Sequence, residues 1–197
     1  FKRDEARAGR SVATEHTMYT TTSKLWKVGE ERKLTEKNEE GDVWDANFDE
    51  YTFKEDAPTG SRPASQRINV EYWSNQPNFD VQWDYNPSTN TYLRTNGGDV
   101  HKDRNTGKQI SAKNVIVLYM TEARANDGYE GNLHMLYGTK GTGKALVFMD
   151  GKEIKGNWKK ANRTSRTIIT ANNKEVAFDP GTMWFHILPT DSVVTVK

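Results

Sequence analysis

A chain of 197 residues with no cysteine and 28 basic against 27 acidic side chains excludes disulfide bracing and thiolate catalysis. Its net charge of +1 also excludes a global field that would draw in nucleic acid or anionic lipid. At this length roughly 70% of the unfolded surface can be buried, so a core needs no metal to hold it. Only 34% of residues are apolar, yet 6 Trp, 8 Tyr and 7 Phe supply large buried areas, a balance that suits short strands around a modest core.

Charge is unevenly placed along the chain. Glu30 to Asp56 holds eleven acids against four bases, and Lys152 to Arg166 holds six bases against Glu153 alone. No apolar run approaches a membrane span, and no signal peptide is expected within this sequence. Because the chain begins with Phe1, the expectation is a processed or excised piece of something longer.

Phe1 to Arg10 is charged and without a clear period. Thr22-Ser23 followed by Leu25, Trp26 and Val28 predicts a short capped helix ended by Gly29. Glu30 to Gly41 reads as a solvated helix or loop. Phe48, Tyr51 and Phe53 predict a segment that docks on the sheet behind it, and Asp56 to Pro63 has linker composition. Residues 1–62 are therefore expected to be a partial N-terminal domain or docking segment with a linker, and residues 63–197 a β-rich C-terminal domain.

Beyond Arg62 the hydrophobic period becomes two. Ile68, Val70 and Tyr72 alternate with polar neighbours, and so do Phe79, Val81, Trp83 and Tyr85. Thr91 to Arg94 returns after the turn at Asn86 to Asn90. Val115 to Met120 is a continuous β-branched and apolar run, the pattern of a strand buried on both faces. Leu133 to Tyr137 and Leu146 to Met149 follow, and Asp150-Gly151 predicts a type I′ hairpin into Glu153-Ile154. Thr167 to Thr170, Val176 to Phe178, Met183 to Leu188 and Val193 to Val196 complete the series. The predicted class is mainly β (α+β overall): an antiparallel, sandwich-like C-terminal domain behind a short mixed helical segment.

Several motifs carry chemistry on paper. Gly138-Thr139-Lys140-Gly141-Thr142-Gly143-Lys144 matches most of a phosphate loop, but Ala145 stands where Ser or Thr would hold magnesium, and a strand follows instead of a helix. The glycines are read as turn residues. His101 and Asp103, two apart, share one face of a strand and suit a base with its orienting carboxylate, or a metal pair with His134, His186 or Asp84 as third ligand. An exposed turn is the bland reading of the same residues. Glu15-His16 is not a ready dyad, because adjacent residues do not face each other. The basic stretch around Trp158 reads as the solvated face of a hairpin with Ile154 and Trp158 turned inward; its alternative is a single-strand nucleic-acid track.

From Val81 to Pro189 a set of landmarks occurs in order: Trp83-x-Tyr85, Tyr92-Leu93-Arg94, His101-x-Asp103, Thr106-Gly107-x-Gln109-Ile110 and Asn114-Val115-Ile116-Val117. Gly143 to Phe148, Asp150-Gly151-Lys152-x-Ile154-x-Gly156-x-Trp158-x-Lys160 and Pro180-Gly181-x-x-Trp184 follow. With these the chain resembles the bacterial YerB-like lipoproteins, a family described as a domain of unknown function. Glu15-His16-x-x-Tyr19-Thr20 is similar to the tail of that family's preceding domain, with Thr17 where the usual pattern has Asn. The resemblance implies a lipid-anchored protein outside the cytoplasmic membrane, its lipidated cysteine on an upstream part. It supplies no reaction and no assigned residues.

The functional expectation is an extracytoplasmic binding or scaffolding module, contacting a cell-wall polymer, peptide or protein partner. The expected contact face combines Trp83, Tyr85, Tyr92, Arg94, His101 and Asp103, with aromatic planes for stacking and Arg94 for two-point pairing to a carboxylate. Trp83 and Tyr85 share a strand face with Val81, which makes core packing their competing role. The alternative is an envelope hydrolase using His101 and Asp103; nucleic-acid binding through Lys152 to Arg166 ranks below it. No cofactor, metal or nucleic acid is expected, and membrane contact only through the upstream lipid anchor.

Overall fold

The computed structural model describes residues 2–34, 36, 37, 40, 41, 43, 49–129, 131 and 134–197. Contacts divide the chain into two compact units, Phe1–Phe48 and Asp49–Lys197.

In the first unit β1 (Lys2–Arg3) pairs antiparallel with β2 (Met18–Tyr19). The helix α1 (Glu5–Ala8) lies between them, capped by the Asp4 side chain, which accepts from the Arg7 amide at 3.1 Å. The helix α2 (Thr22–Glu31) starts one residue earlier than its sequence signal, because Thr21 supplies the cap by accepting from the Lys24 amide. It also runs through Gly29. An interior glycine costs about 1 kcal/mol but does not end a helix. The stop comes from Lys33 at φ 58, whose amide bonds Glu30 O while Leu34 N bonds Gly29 O, a Schellman closure with lysine in the left-handed position.

The second unit is mainly β, as the alternation predicts. Its strands are β3 (Arg67–Glu71), β4 (Val81–Asn86), β5 (Thr91–Asn96), β6 (Asp99–Val100), β7 (Ser111–Ala112), β8 (Asn114–Met120) and β9 (Glu122–Arg124). They continue as β10 (Met135–Tyr137), β11 (Gly141–Met149), β12 (Lys152–Lys160), β13 (Ile168–Ala171), β14 (Lys174–Glu175), β15 (Met183–Pro189) and β16 (Val193–Val196). Leu133, placed in β10 from the sequence, lies outside the described residues, as does Phe48.

One sheet has the order β14-β13-β12-β11-β8-β15 and the other β16-β3-β4-β5-β6, with β7 also pairing β5. The β9–β10 pair stands apart from both. Among the described strands pairing is antiparallel except between β8 and β15, which run parallel from Met183 opposite Asn114 to Pro189 opposite Met120. Asp150 and Gly151 adopt φ 55 and φ 68, the double left-handed turn that joins β11 to β12.

Two cores share the first sheet. Val115, Val117, Phe148 and Leu188 face the second sheet and pack with Ile68, Val70, Trp83, Tyr85 and Tyr92. On the opposite face Ile116, Leu118, Met120, Val147 and Trp158 pack with Ile169, Val176 and Phe178. β8 is therefore buried on both sides, which is why its sequence is continuously apolar rather than alternating.

Residues 49–62 belong to the second unit. Phe53 makes a parallel bridge to Phe178, and the Tyr51 ring stands edge-on to Phe178 at 5.5 Å. Tyr51 docks as the sequence implies, whereas Phe53 remains half exposed.

Candidate functional site

The strand register explains where the expected contact face goes. Trp83 and Tyr85 alternate with Val81 on one face of β4, and Trp83 pairs with Arg94 and Tyr85 with Tyr92 across the ladder. That face is the core: Trp83 and Tyr92 are fully buried and Tyr85 nearly so. The expectation of an exposed stacking platform is thereby corrected. Three aromatics that share a face with Val81 serve the apolar interior, and burial pushes the Tyr92 phenol far up, keeping it neutral.

Arg94 continues the same face and is only 6% exposed. Its guanidinium lies 4.6 Å from the ring of Trp184 on β15 and 5.8 Å from that of Trp83. Nη1 donates to Nδ1 of His101 and Nη2 to Oδ1 of Asn96 at 3.0 Å, while Nε is buried with no acceptor. Backbone bonds set this geometry: His101 N bonds Arg94 O, Ile110 N bonds His101 O, and Arg94 N bonds Ile110 O. The Gln109 side chain adds a bond to Arg94 O at 2.9 Å. His101, Asn96 and Trp184 are half-buried and frame the group at one end of the sandwich.

Beneath them lies His186, fully buried. Trp83 Nε1 donates to its Nε2 at 2.9 Å, so Nε2 is the acceptor and Nδ1 carries the proton of the neutral ring. Nδ1 therefore donates to the Tyr72 hydroxyl oxygen at 2.6 Å. Burial, reinforced by the Arg94 charge, pulls the His186 pKa down to about 3. His101 is shifted the same way by burial and by Arg94, which suits a neutral ring accepting from a guanidinium.

The expected pairing of His101 with Asp103 does not form. Lys102 bridges Gln109 and opens a turn, inside which Asp103 Oδ1 accepts from the Thr106 hydroxyl and amide, both at 2.7 Å. Those bonds hold its carboxyl below the usual range. The other suggested ligands are dispersed. His186 is enclosed by Trp83 and Tyr72, Asp84 pairs with Arg67 at 2.6 Å, and His134 pairs with Asp127 at 2.6 Å and stacks on Tyr129. Among the described residues no three His, Asp or Glu side chains converge in a metal-ligating arrangement.

The second half of the glycine-rich segment is strand rather than turn, while Gly138 to Lys140 form the connection before it. Gly141 to Lys144 opens β11, and a Cβ at Gly143 would fall 2.5 Å from both Trp158 Nε1 and Tyr119 O. Trp158 Nε1 donates to Tyr119 O at 2.8 Å across that glycine, so the absent side chain makes room for an indole. Trp158 is buried, leaving the lysine face of β12 without its aromatic.

A second buried polar cluster joins residues 54–62 to the sandwich. Lys54 Nζ binds Asp150 at 2.7 Å and also Asp179, and Asn90 donates to both carboxylates at 2.9 and 3.1 Å. Tyr85 donates to Asn90 Oδ1 at 2.8 Å. Asp56 pairs with Lys113 and, at 4.0 Å, with Arg62. Burial raises the Asp150 pKa, but the bonds from Lys54, Ala57 N and Asn90 outweigh it and hold it at about 2. Burial raises Asp179, Lys54 opposes this, and the Asp150 charge adds to the rise.

Comparison with known proteins places these features in a family. The profile of the protein of unknown function (DUF3048) C-terminal domain matches residues 68–185. The chain belongs to this family. The match takes in β3 to the middle of β15, and so Arg94, His101 and Trp184 together. The chain is also similar to "Putative lipoprotein YerB" of Bacillus subtilis (strain 168), 24% identical over 176 residues, covering 88% of this chain and 48% of the relative. The crystal structure of YerB protein from Bacillus subtilis shares the fold with a TM-score of 0.71 at 22% identity, over 91% of this chain and 56% of that one. The chain thus spans about half the length of the relatives it matches.

Sequence reading selected Arg94 and His101 and weighed His186 as a third ligand, but missed Asn96, Trp184 and Tyr72 as their surroundings. Asn96 was within reach, since residues two apart on a strand share a face. Trp184 and His186 arrive from β15, and no local pattern carries that distant pairing.

Proposed function

We propose that this chain is an extracytoplasmic binding or scaffolding module of a bacterial envelope lipoprotein, and that the end of the sandwich around Arg94, His101 and Trp184 is its contact surface. The observation that carries the reading is a nearly enclosed guanidinium held by neutral acceptors against a half-buried indole. Arginine and tryptophan dominate binding energy where they are packed and desolvated. The word lipoprotein in the name of the Bacillus subtilis relative supports the envelope location. Among the described residues no helix is long and apolar enough to cross a membrane, so attachment would fall to a lipid on an upstream part. The partner would be a wall polymer, a peptide or a protein.

The test is retention of the purified chain on envelope fractions, comparing wild type with Arg94→Ala and His101→Ala. Arg94→Ala is expected to be retained several-fold less than wild type and His101→Ala to differ from it several-fold, both with unchanged far-ultraviolet spectra. Equal retention of all three proteins rejects this surface.

A further inference from the structure

The two buried polar clusters differ in charge balance, and the difference points to a ligand. In the cluster at residues 54–62 the cations Lys54, Arg62 and Lys113 face the carboxylates Asp56, Asp150 and Asp179. Its three cations balance its three carboxylates, the condition under which buried charge is tolerated, even though Asp56 Oδ1 has no donor of its own. Around Arg94 no such balance exists. Among the described residues its partners are an imidazole and an amide, both neutral, and a third donor, Nε, is buried facing none. The nearby groups Tyr72 and His186 carry no negative charge: the phenol is pushed up by burial and the imidazole is neutral.

A guanidinium does not escape this situation by losing its proton. Burying an unpaired charge is costly, so a position that keeps one is a position where an anion is missing. His101 stands where that anion would sit. It accepts from Nη1, as a carboxylate oxygen would, but contributes no charge, and it is half-buried rather than packed inside.

We propose that Arg94 is the floor of a carboxylate-binding site, and that the His101 imidazole occupies it until a ligand carboxylate displaces it. This rests on the reading of this end of the sandwich as the contact surface, and it names the chemistry that surface takes. A single cation calls for a single negative charge, which favours a carboxylate over a phosphate dianion. The indole of Trp184, 4.6 Å from the guanidinium, and the side chain of Asn96, bonded to Nη2, hold that planar group in place. A free peptide terminus or an acidic side chain of a polymer would both supply the carboxylate.

The site is tested on the whole chain by titrating sodium acetate and acetyl-alanyl-alanine at constant ionic strength, with the corresponding peptide amide as control. The resonances of Arg94 Nε–H and the Trp184 indole N–H report binding. Saturable shifts are expected with both carboxylates and none with the amide. His101→Ala is expected to bind several-fold more tightly, because no imidazole has to leave, and Arg94→Gln at least tenfold more weakly. Should Arg94→Gln fail to fold, the His101→Ala comparison decides alone. Shifts produced equally by the amide or by chloride overturn the proposal, as does tighter binding of inorganic phosphate than of acetate. Carboxylate binding without envelope retention would keep this site and remove the envelope partner. Retention without any carboxylate response would do the reverse.

Discussion

At the scale of single residues, the neutral state of His186 makes stability depend on acidity in a defined window. Its folded pKa of about 3 lies below the ordinary 6.5, so between those values the unfolded chain takes up a proton that the folded chain refuses. Stability from this group is complete above pH 6.5 and declines as pH falls toward 3. The midpoint of thermal unfolding is expected to drop steadily from pH 7 to pH 4, and His186→Gln should flatten that slope whatever its stability at neutral pH. Parallel slopes in the two proteins would show that His186 is not the responsible group. Gly143 offers a steric test. Gly143→Ala would force a methyl against the Tyr119 carbonyl and the Trp158 indole, and should cost about 1–3 kcal/mol in denaturant unfolding. Gly60→Ala, with open space around it, should cost nothing measurable. Trp83 shows what the sequence could convey at this scale: its shared face with Val81 was legible, and burial followed. His186 was not, because its acceptor role depends on an indole more than a hundred positions away.

At the scale of elements, alternation located most strands of the second unit, since each pleat face has one solvent throughout its length. Its failures have physical causes. The glycines of β11 read as turns because a glycine required by a neighbouring indole looks the same as one required by backbone curvature. The end of α2 was misplaced because closure came from a lysine in a left-handed conformation rather than from Gly29. Asp56 to Pro63 read as a linker by composition, yet its charged side chains Asp56 and Arg62 pair with one another, and Asp56 with Lys113 of the sandwich. Lys54→Met would leave Asp150 and Asp179 together without their shared cation. Breaking a buried pair costs roughly 3–5 kcal/mol, and the loss here should fall at or below the lower end, since a third of the Lys54 side chain meets water. Adding Asp179→Asn to that variant should recover part of the loss in equilibrium unfolding. Strictly additive costs would mean the three groups do not act as a unit.

At the scale of the molecule, both cores lie wholly within residues 49–197. A chain of those residues is expected to unfold in a single cooperative transition followed by calorimetry. A chain of residues 63–197, lacking Tyr51 and Lys54, should melt several degrees lower. Equal midpoints would show that residues 49–62 contribute nothing to stability. The parallel alliance of β15 with β8 was beyond sequence reading, because it joins segments with many strands between them, and the candidate site depends on it for Trp184.

That alliance also governs timing. β15 is nearly the last strand to be delivered when the chain emerges from its amino end, yet Leu188 and His186 seal the interior that the earlier strands only outline. The sandwich interior therefore cannot close before β15 has joined β8, however early the preceding strands pair.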